Sequence, residues 1–144
     1  MIENWIVPCN TKQFDVIAHF QTHDTVVWKN SFTIKNGDIV YLYLSAPYGE
    51  IKFKCIVVSD AVPEEVLSEN PYAIVEKKSN NFFSKKIKYI QLRKICEYPE
   101  KTFTLQNLRE HGLGQVQIQA RTDKRLQKYL DDTENLLKGE FNNG

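Results

Sequence analysis

His19 and His23 stand four residues apart with Asp24 beside them, a spacing that sets two imidazoles on one helical face. Zinc needs three or four convergent protein ligands, and no further residue is placed by spacing to complete the set. The pair therefore reads as a helix end running into a solvated loop. Glu64 and Glu65 are adjacent, and neighbouring side chains on a helix diverge, so they read as solvated surface rather than an acid/base pair. His111 precedes Gly112 at the close of an expected helix, where an imidazole contacts the last carbonyls. Cys9, Cys55 and Cys96 are odd in number, far apart and form no CxxC pair, so they read as buried free thiols. None of the 6 glycines builds a phosphate-binding loop, and no GxSxG elbow or HExxH pair occurs. No catalytic residue, metal or cofactor is expected, and the chain reads as a non-enzyme.

The aromatic residues are more informative. Trp5, Phe20, Trp28, Phe32, Tyr41, Tyr43, Tyr48 and Phe53 all fall by residue 53 of the chain. Most such rings fill the core of a small barrel. Several, however, sit beside small or polar residues: Asn10, Asp24, Ser45 and Pro47. Rings that stack on a flat heterocycle, with a few hydrogen-bonding groups at its edge, are what a nucleobase pocket requires. Downstream, KKSNNFFSKKIKYIQLRK carries Lys77, Lys78, Lys85, Lys86, Lys88, Arg93 and Lys94 without an acid. Such a run suits phosphates flanking an extruded base, and Phe82 and Phe83 at its tip could wedge into a base stack. The competing reading is an edge strand fringed with lysine against aggregation.

At 144 residues, 42% hydrophobic and 26% charged, the chain is expected to be one globular domain, residues 1–138, with a frayed tail over 139–144. Net charge is +1, so any electrostatic recognition rests on local clusters. No apolar run is long enough to span a bilayer and MIENWIVP lacks signal-peptide regions, so a cytoplasmic, non-membrane protein is expected. Asn4–Pro8 reads as a first strand, and a helix is expected from about Lys12 to Phe20 with Thr11 as cap. After the short apolar run Val26–Trp28, Asn36-Gly37-Asp38 marks a turn. Ile39 to Ser45 then alternates: Ile39, Tyr41, Tyr43 and Ser45 against Val40, Leu42 and Leu44. A hairpin at Pro47-Tyr48-Gly49 leads to a strand over Ile51–Val58. A short helix begins near Pro63, and a strand spans Lys86 to Tyr98. A helix capped by Thr104 stops at Gly112, and Val116–Gln119 reads as an edge strand or extended turn. A last helix covers Asp123–Leu137, with Leu126, Tyr129, Leu130, Leu136 and Leu137 near one stripe.

The joint order of these pieces (a strand with Trp, a helix ending AHF, VVWK, KNGDIVYLYLSAP, then IKFKCIV) resembles the EVE domain of the PUA-like superfamily. It is most similar to the versions found in bacterial modified-DNA restriction proteins. The likeness covers about Asn4 to Val62 and continues more weakly through YIQLRKI, LQNLREHGL and VQIQARTDKRL. It implies an α+β fold, a PUA-like mixed β pseudobarrel of five to six strands with flanking short helices. It also implies a pocket for a modified base, such as 5-methylcytosine, flipped from DNA. By position that pocket would use Asn10, Trp28, Tyr43, Ser45 and Pro47, with Phe20 and Trp5 in second rank. Trp28 would stack, and Asn10 and Ser45 would read the edge. Restriction versions carry a nuclease or motor, and neither is legible here, so only recognition carries over.

The leading expectation is a non-enzymatic reader of modified DNA acting in defence, alone or with a separate effector protein. One alternative is an RNA-binding module linked to RNA modification. Another is an interaction module whose pocket holds a metabolite or peptide.

Overall fold

A computed structural model describes residues 2–63 and 88–142. Glu64, Glu65, Lys77, Lys78, Phe82, Phe83, Lys85 and Lys86 lie outside the described residues, as does the helix expected after Pro63. One mixed sheet contains β1 (Asn4–Cys9), β2 (Thr25–Asn30), β3 (Ile39–Leu44), β4 (Glu50–Val62), β5 (Lys88–Glu97), β6 (Phe103–Thr104) and β7 (Ala120–Arg121). Helices α1 (Val16–Thr22), α2 (Leu105–Glu110) and α3 (Lys124–Asn142) flank it. The strand order is β2-β5-β4-β3-β1-β7, with β6 beside β4. β1 and β3 run parallel, and the other paired strands run antiparallel. This is the expected α+β architecture: five long strands, plus two of two residues each that bring the sheet to seven.

Period-two alternation divides the core into two clusters. Trp5, Val7 and Cys9 of β1, Val40, Leu42 and Leu44 of β3, and Phe53, Cys55 and Val57 of β4 meet Ile90 and Leu92 of β5 on one face. Ile6, Tyr41, Tyr43 and Ile51 meet Leu108, Leu126 and Leu130 on the other, under α2 and α3. Both faces of β3 are thus buried, as its doubly apolar alternation predicts. Polar contacts tie α3 to the sheet. Glu134 accepts from Lys54 Nζ at 3.0 Å and from the Tyr98 hydroxyl at 2.9 Å. Burial opposes charge on Glu134, yet these two bonds and the Lys54 and Lys138 charges hold its carboxyl below the usual range.

Several boundaries differ from expectation for local reasons. Asn10 Oδ1 accepts from the Lys12 amide at 3.0 Å, and Asn10 O takes the Gln13 and Phe14 amides. The chain therefore turns once before its helix begins. Asp15, not Thr11, caps α1, its Oδ1 accepting from Ala18 N at 3.0 Å. β4 runs four residues beyond Val58, because Ser59 and Val62 still pair with β5. α3 continues past Leu137, and Leu136 points to solvent at 71% exposure, off the buried stripe. Thr104 does cap α2, and Gly112 ends it at φ +106.

The Asn-Gly-Asp turn has consequences beyond reversing the chain. Gly37 adopts φ +91, a conformation that favours glycine, and its amide reaches Val57 O. Asp38, 2% exposed, then accepts three hydrogen bonds through its carboxylate. These come from Glu3 N at 3.1 Å, Trp5 Nε1 at 3.0 Å and Lys35 N at 2.9 Å. One side chain joins the start of β1, the indole in the core and the turn into β3. Removing it leaves three donors without their acceptor. Asp38→Ala is expected to lower the unfolding free energy by about 3 kcal/mol or more, and Asp38→Asn by less, since the amide keeps one acceptor oxygen. Urea denaturation followed by far-UV circular dichroism measures both, and equal losses would contradict the three-donor account.

Candidate functional site

The two ends of the strand order, β2 and β7, are not hydrogen-bonded to each other as strands. A side chain joins them instead. Gln119, immediately before β7 and only 8% exposed, donates from Nε2 to Lys29 O at 2.7 Å and accepts Ser31 N on Oε1 at 3.0 Å. Its amide does for β2 what a neighbouring peptide unit would do. Arg121 adds a bond from Nη2 to Thr33 Oγ1 at 3.2 Å, and its guanidinium lies 5.1 Å from the Trp5 ring centroid.

A cleft of about 270 Å³ opens along this seam. Pro8, Trp28 and Lys29 line one side, and Ser31, Phe32 and the 117–119 segment complete it. Trp28 is half-buried, packed against the core and held edge-on by Phe14 at 5.7 Å and 73°. Phe14 stands where it does because of the Asn10 turn just upstream. Phe32 and Ile118 are apolar yet 47% and 46% exposed at the mouth, and Phe32 stacks near Trp5 at 6.5 Å. Exposed Lys29, Ser31 and Gln117 supply a cation, a hydroxyl and an amide at the rim. An indole wall, two apolar lips and short polar groups make a slot for one flat ring.

The other expected pocket residues do not converge on it. Trp28 packs with the first core cluster and Tyr43 with the second, on opposite faces of the sheet. Their separation follows from strand parity. Tyr43 is 4% exposed, and burial raises its hydroxyl pKa, with Arg109 opposing. Ser45 uses both its amide and its hydroxyl on Cys9 O, at 3.0 and 3.2 Å, fastening the end of β3 to that of β1. Asn10 shapes the turn described above. Phe20 is core, packed against Phe53 at 4.9 Å with Lys94 Nζ 5.6 Å from its ring. Trp5 is core and bonded to Asp38. Pro47 is exposed, follows a cis peptide bond and lines a different cleft. Of the seven expected residues, Trp28 alone lines this slot.

Of the basic run, Lys88, Arg93 and Lys94 lie among the described residues. Lys88 and Arg93 are exposed on β5, and Lys94 Nζ donates to Phe20 O at 3.4 Å. β5 lies between β2 and β4, inside the sheet. Edge protection therefore does not account for its lysines. The histidine pair is packing: the rings of His19 and His23 stack at 4.5 Å and 14°, and His19 Nε2 meets Thr25 O at 2.7 Å. Burial holds His19 below the usual histidine pKa; the Thr25 bond opposes this and His23 adds to it. Burial chiefly, helped by Asp15, pushes the Cys9 thiol up to about 12, far from a reactive thiolate. Among the described residues, no three His, Cys, Asp or Glu side chains gather as a metal set. No helix among them is long and apolar enough to cross a membrane.

Gln119 and the 117–119 segment carry no motif, and a polar VQIQ stretch reads only as an edge strand or extended turn, so no sequence signal marks them.

No family model matches the chain, and no curated protein matches it in sequence. Solved structures do match in shape. A hypothetical protein from Leishmania major superimposes with TM-score 0.65 at 14% identity, covering 95% of this chain and 98% of that one. ASCH from Zymomonas mobilis gives 0.60 at 10% identity, covering 90% and 94%. Protein Atu2648 from Agrobacterium tumefaciens gives 0.60 at 10% identity, covering 92% and 91%. At such identities the likeness establishes the fold, which is PUA-like. Gln119→Leu, which unpairs Lys29 O and Ser31 N at the seam, is expected to cost about 2 kcal/mol or more in urea denaturation. A loss below about 0.5 kcal/mol, the level of an ordinary surface change, would show that the seam does not depend on this amide.

Proposed function

We propose that this chain is a non-catalytic reader that takes a modified base, extruded from DNA, into the Trp28 slot. The observation that carries this reading is the slot itself: a half-buried indole in a cleft of about 270 Å³ at the seam between two sheet edges. That volume is slightly below the roughly 300–1,000 Å³ of drug-sized sites and suits a single ring system. Stacking on an aromatic side chain is worth about 1–3 kcal/mol per base, comparable with the few kcal/mol needed to unstack one. Phe32 and Ile118 at the mouth offer apolar contact to neighbouring bases left in the stack. Lys29 and Arg121, exposed beside the slot, offer phosphate contacts.

The sequence resemblance to EVE domains of modified-DNA restriction proteins supports the choice of ligand, and with it a role in defence beside a separate effector. Edge reading passes from Asn10 and Ser45, which support the strand ends, to Ser31 and Gln117 at the rim. The basic run, with Lys77, Lys78, Lys85, Lys86, Lys88 and Arg93, serves the flanking backbone in this reading.

Fluorescence anisotropy with paired oligonucleotides tests the proposal. DNA carrying 5-methylcytosine is expected to bind at least tenfold tighter than unmodified DNA, and Trp28→Ala is expected to remove that difference while leaving the circular dichroism spectrum unchanged. Equal affinity for the two DNAs would count decisively against it, and a preference for modified RNA would move the ligand to RNA. Charge reversal at Lys85, Lys86 and Lys88 is expected to weaken binding to every oligonucleotide and to flatten its salt dependence. An unchanged salt slope would remove these lysines from the interface.

A further inference from the structure

A second cleft, of about 730 Å³, lies by the β3–β4 hairpin and the start of α2, away from the Trp28 slot. Its volume falls within the range of small-molecule sites. Glu50 lines it. This residue opens β4, sits opposite Leu44 and Thr104, and is 8% exposed. Its Oε1 is buried and has no hydrogen-bond partner among the described residues. Its Oε2 accepts one long bond, 3.4 Å, from Lys101 N. Lys101 holds φ +64, a left-handed conformation uncommon for a residue with a side chain. A buried carboxylate with a vacant acceptor calls for a physical reason, because each such oxygen is costly to leave unbonded. One recognised reason is that the partner arrives with a ligand.

The surroundings restrict which donor fits. Tyr48, 47% exposed, presents an aromatic ring two residues from Glu50 in the same cleft. Glu97 and Glu100 add two exposed carboxylates, against Lys52 and Lys101, which leaves one negative charge in excess among these groups with Glu50. A carboxylate beside an aromatic face is the setting that favours a planar cation. The guanidinium group can place two parallel N–H bonds on a carboxylate while its face lies on the ring. An ammonium is a compact point charge that uses neither feature as fully.

We propose that this cleft binds a guanidinium-bearing ligand, with Glu50 as its anionic partner and Tyr48 as the face it lies against. The site is separate from the Trp28 slot and does not depend on the modified-base reading.

Isothermal titration calorimetry of the whole chain with agmatine tests the proposal, with putrescine, a dication of the same chain length that carries an ammonium in place of the guanidinium, as the control. Saturable binding of one agmatine per chain is expected, at least tenfold tighter than putrescine. Glu50→Gln, which keeps the shape of the side chain, is expected to weaken agmatine at least tenfold. Tyr48→Ala, at an exposed position, is expected to weaken it several-fold without altering the fold, and it decides the matter should Glu50→Gln fail to fold. Trp28→Ala is expected to leave agmatine binding unchanged, which separates this site from oligonucleotide binding. The proposal is overturned if wild-type protein shows no saturable agmatine binding, if putrescine binds equally well, or if folded Glu50→Gln or Tyr48→Ala binds as wild type does.

Discussion

The carboxylate of Asp38 fixes where three pieces of chain meet. It is buried, and its acceptors take one backbone amide before β1, one before the turn into β3, and the indole of Trp5. β1 and β3 are parallel neighbours, a pairing that no short hairpin can enforce. An anchor at their common start does so instead, setting Asn4 opposite Ile39 and every later pair in step. At the far end, Ser45 closes the same pair by giving both its donors to Cys9 O. The parallel pair is thus fastened at both ends by polar contacts, while the middle is apolar on both faces. The position of Pro8 at the Trp28 slot follows from that register.

Parity then decides which side chains share a cleft. Successive residues of a strand alternate between faces, so Tyr43 faces α2 and α3 while Leu42 and Leu44 face the core beneath β2 and β5. Trp28 packs with that latter face. An aromatic pocket assembled from Trp28 and Tyr43 would require the sheet to be transparent. The alternation of Ile39 to Ser45 was visible in the sequence, and so was the prospect that both faces are buried. What alternation does not reveal is which face of β3 aligns with which side of β2, because that depends on two intervening strands, β5 and β4.

Local signals were therefore legible and distant ones were not. The Asn-Gly-Asp turn, the Thr104 cap, the Gly112 stop and the strands around Trp5, Tyr41 and Phe53 all follow from neighbours within a few residues. α1 begins at Val16 rather than near Lys12 because Asn10 folds the next residues into a turn, and Asp15 rather than the expected Thr11 caps the helix. The seam is different in kind. Gln119 meets Ser31 and Lys29 across 88 and 90 residues, and nothing in a Val-Gln-Ile-Gln stretch distinguishes a glutamine that closes a sheet from one facing water. The resemblance singles out Trp28, which lines the seam cleft; the 117–119 segment that completes the cleft carries no motif.

Gln119 and Glu50 are equally buried, at 8% exposure, and both lie beside clefts, yet their polar atoms are treated differently. The amide of Gln119 has its donor and its acceptor engaged by the backbone of β2, so its burial is compensated within the chain. Glu50 has one oxygen weakly bonded and the other without a partner among the described residues. An unbonded buried acceptor costs about 1–3 kcal/mol, and more when charged. Placing a glutamine at the start of β4 would leave the strand pairing of that position intact, since Glu50 pairs with Leu44 and Thr104 through its backbone. The sheet, then, does not require a carboxylate there. Where structure alone explains Gln119, it leaves Glu50 unexplained, and a donor arriving from outside the chain supplies what the fold does not.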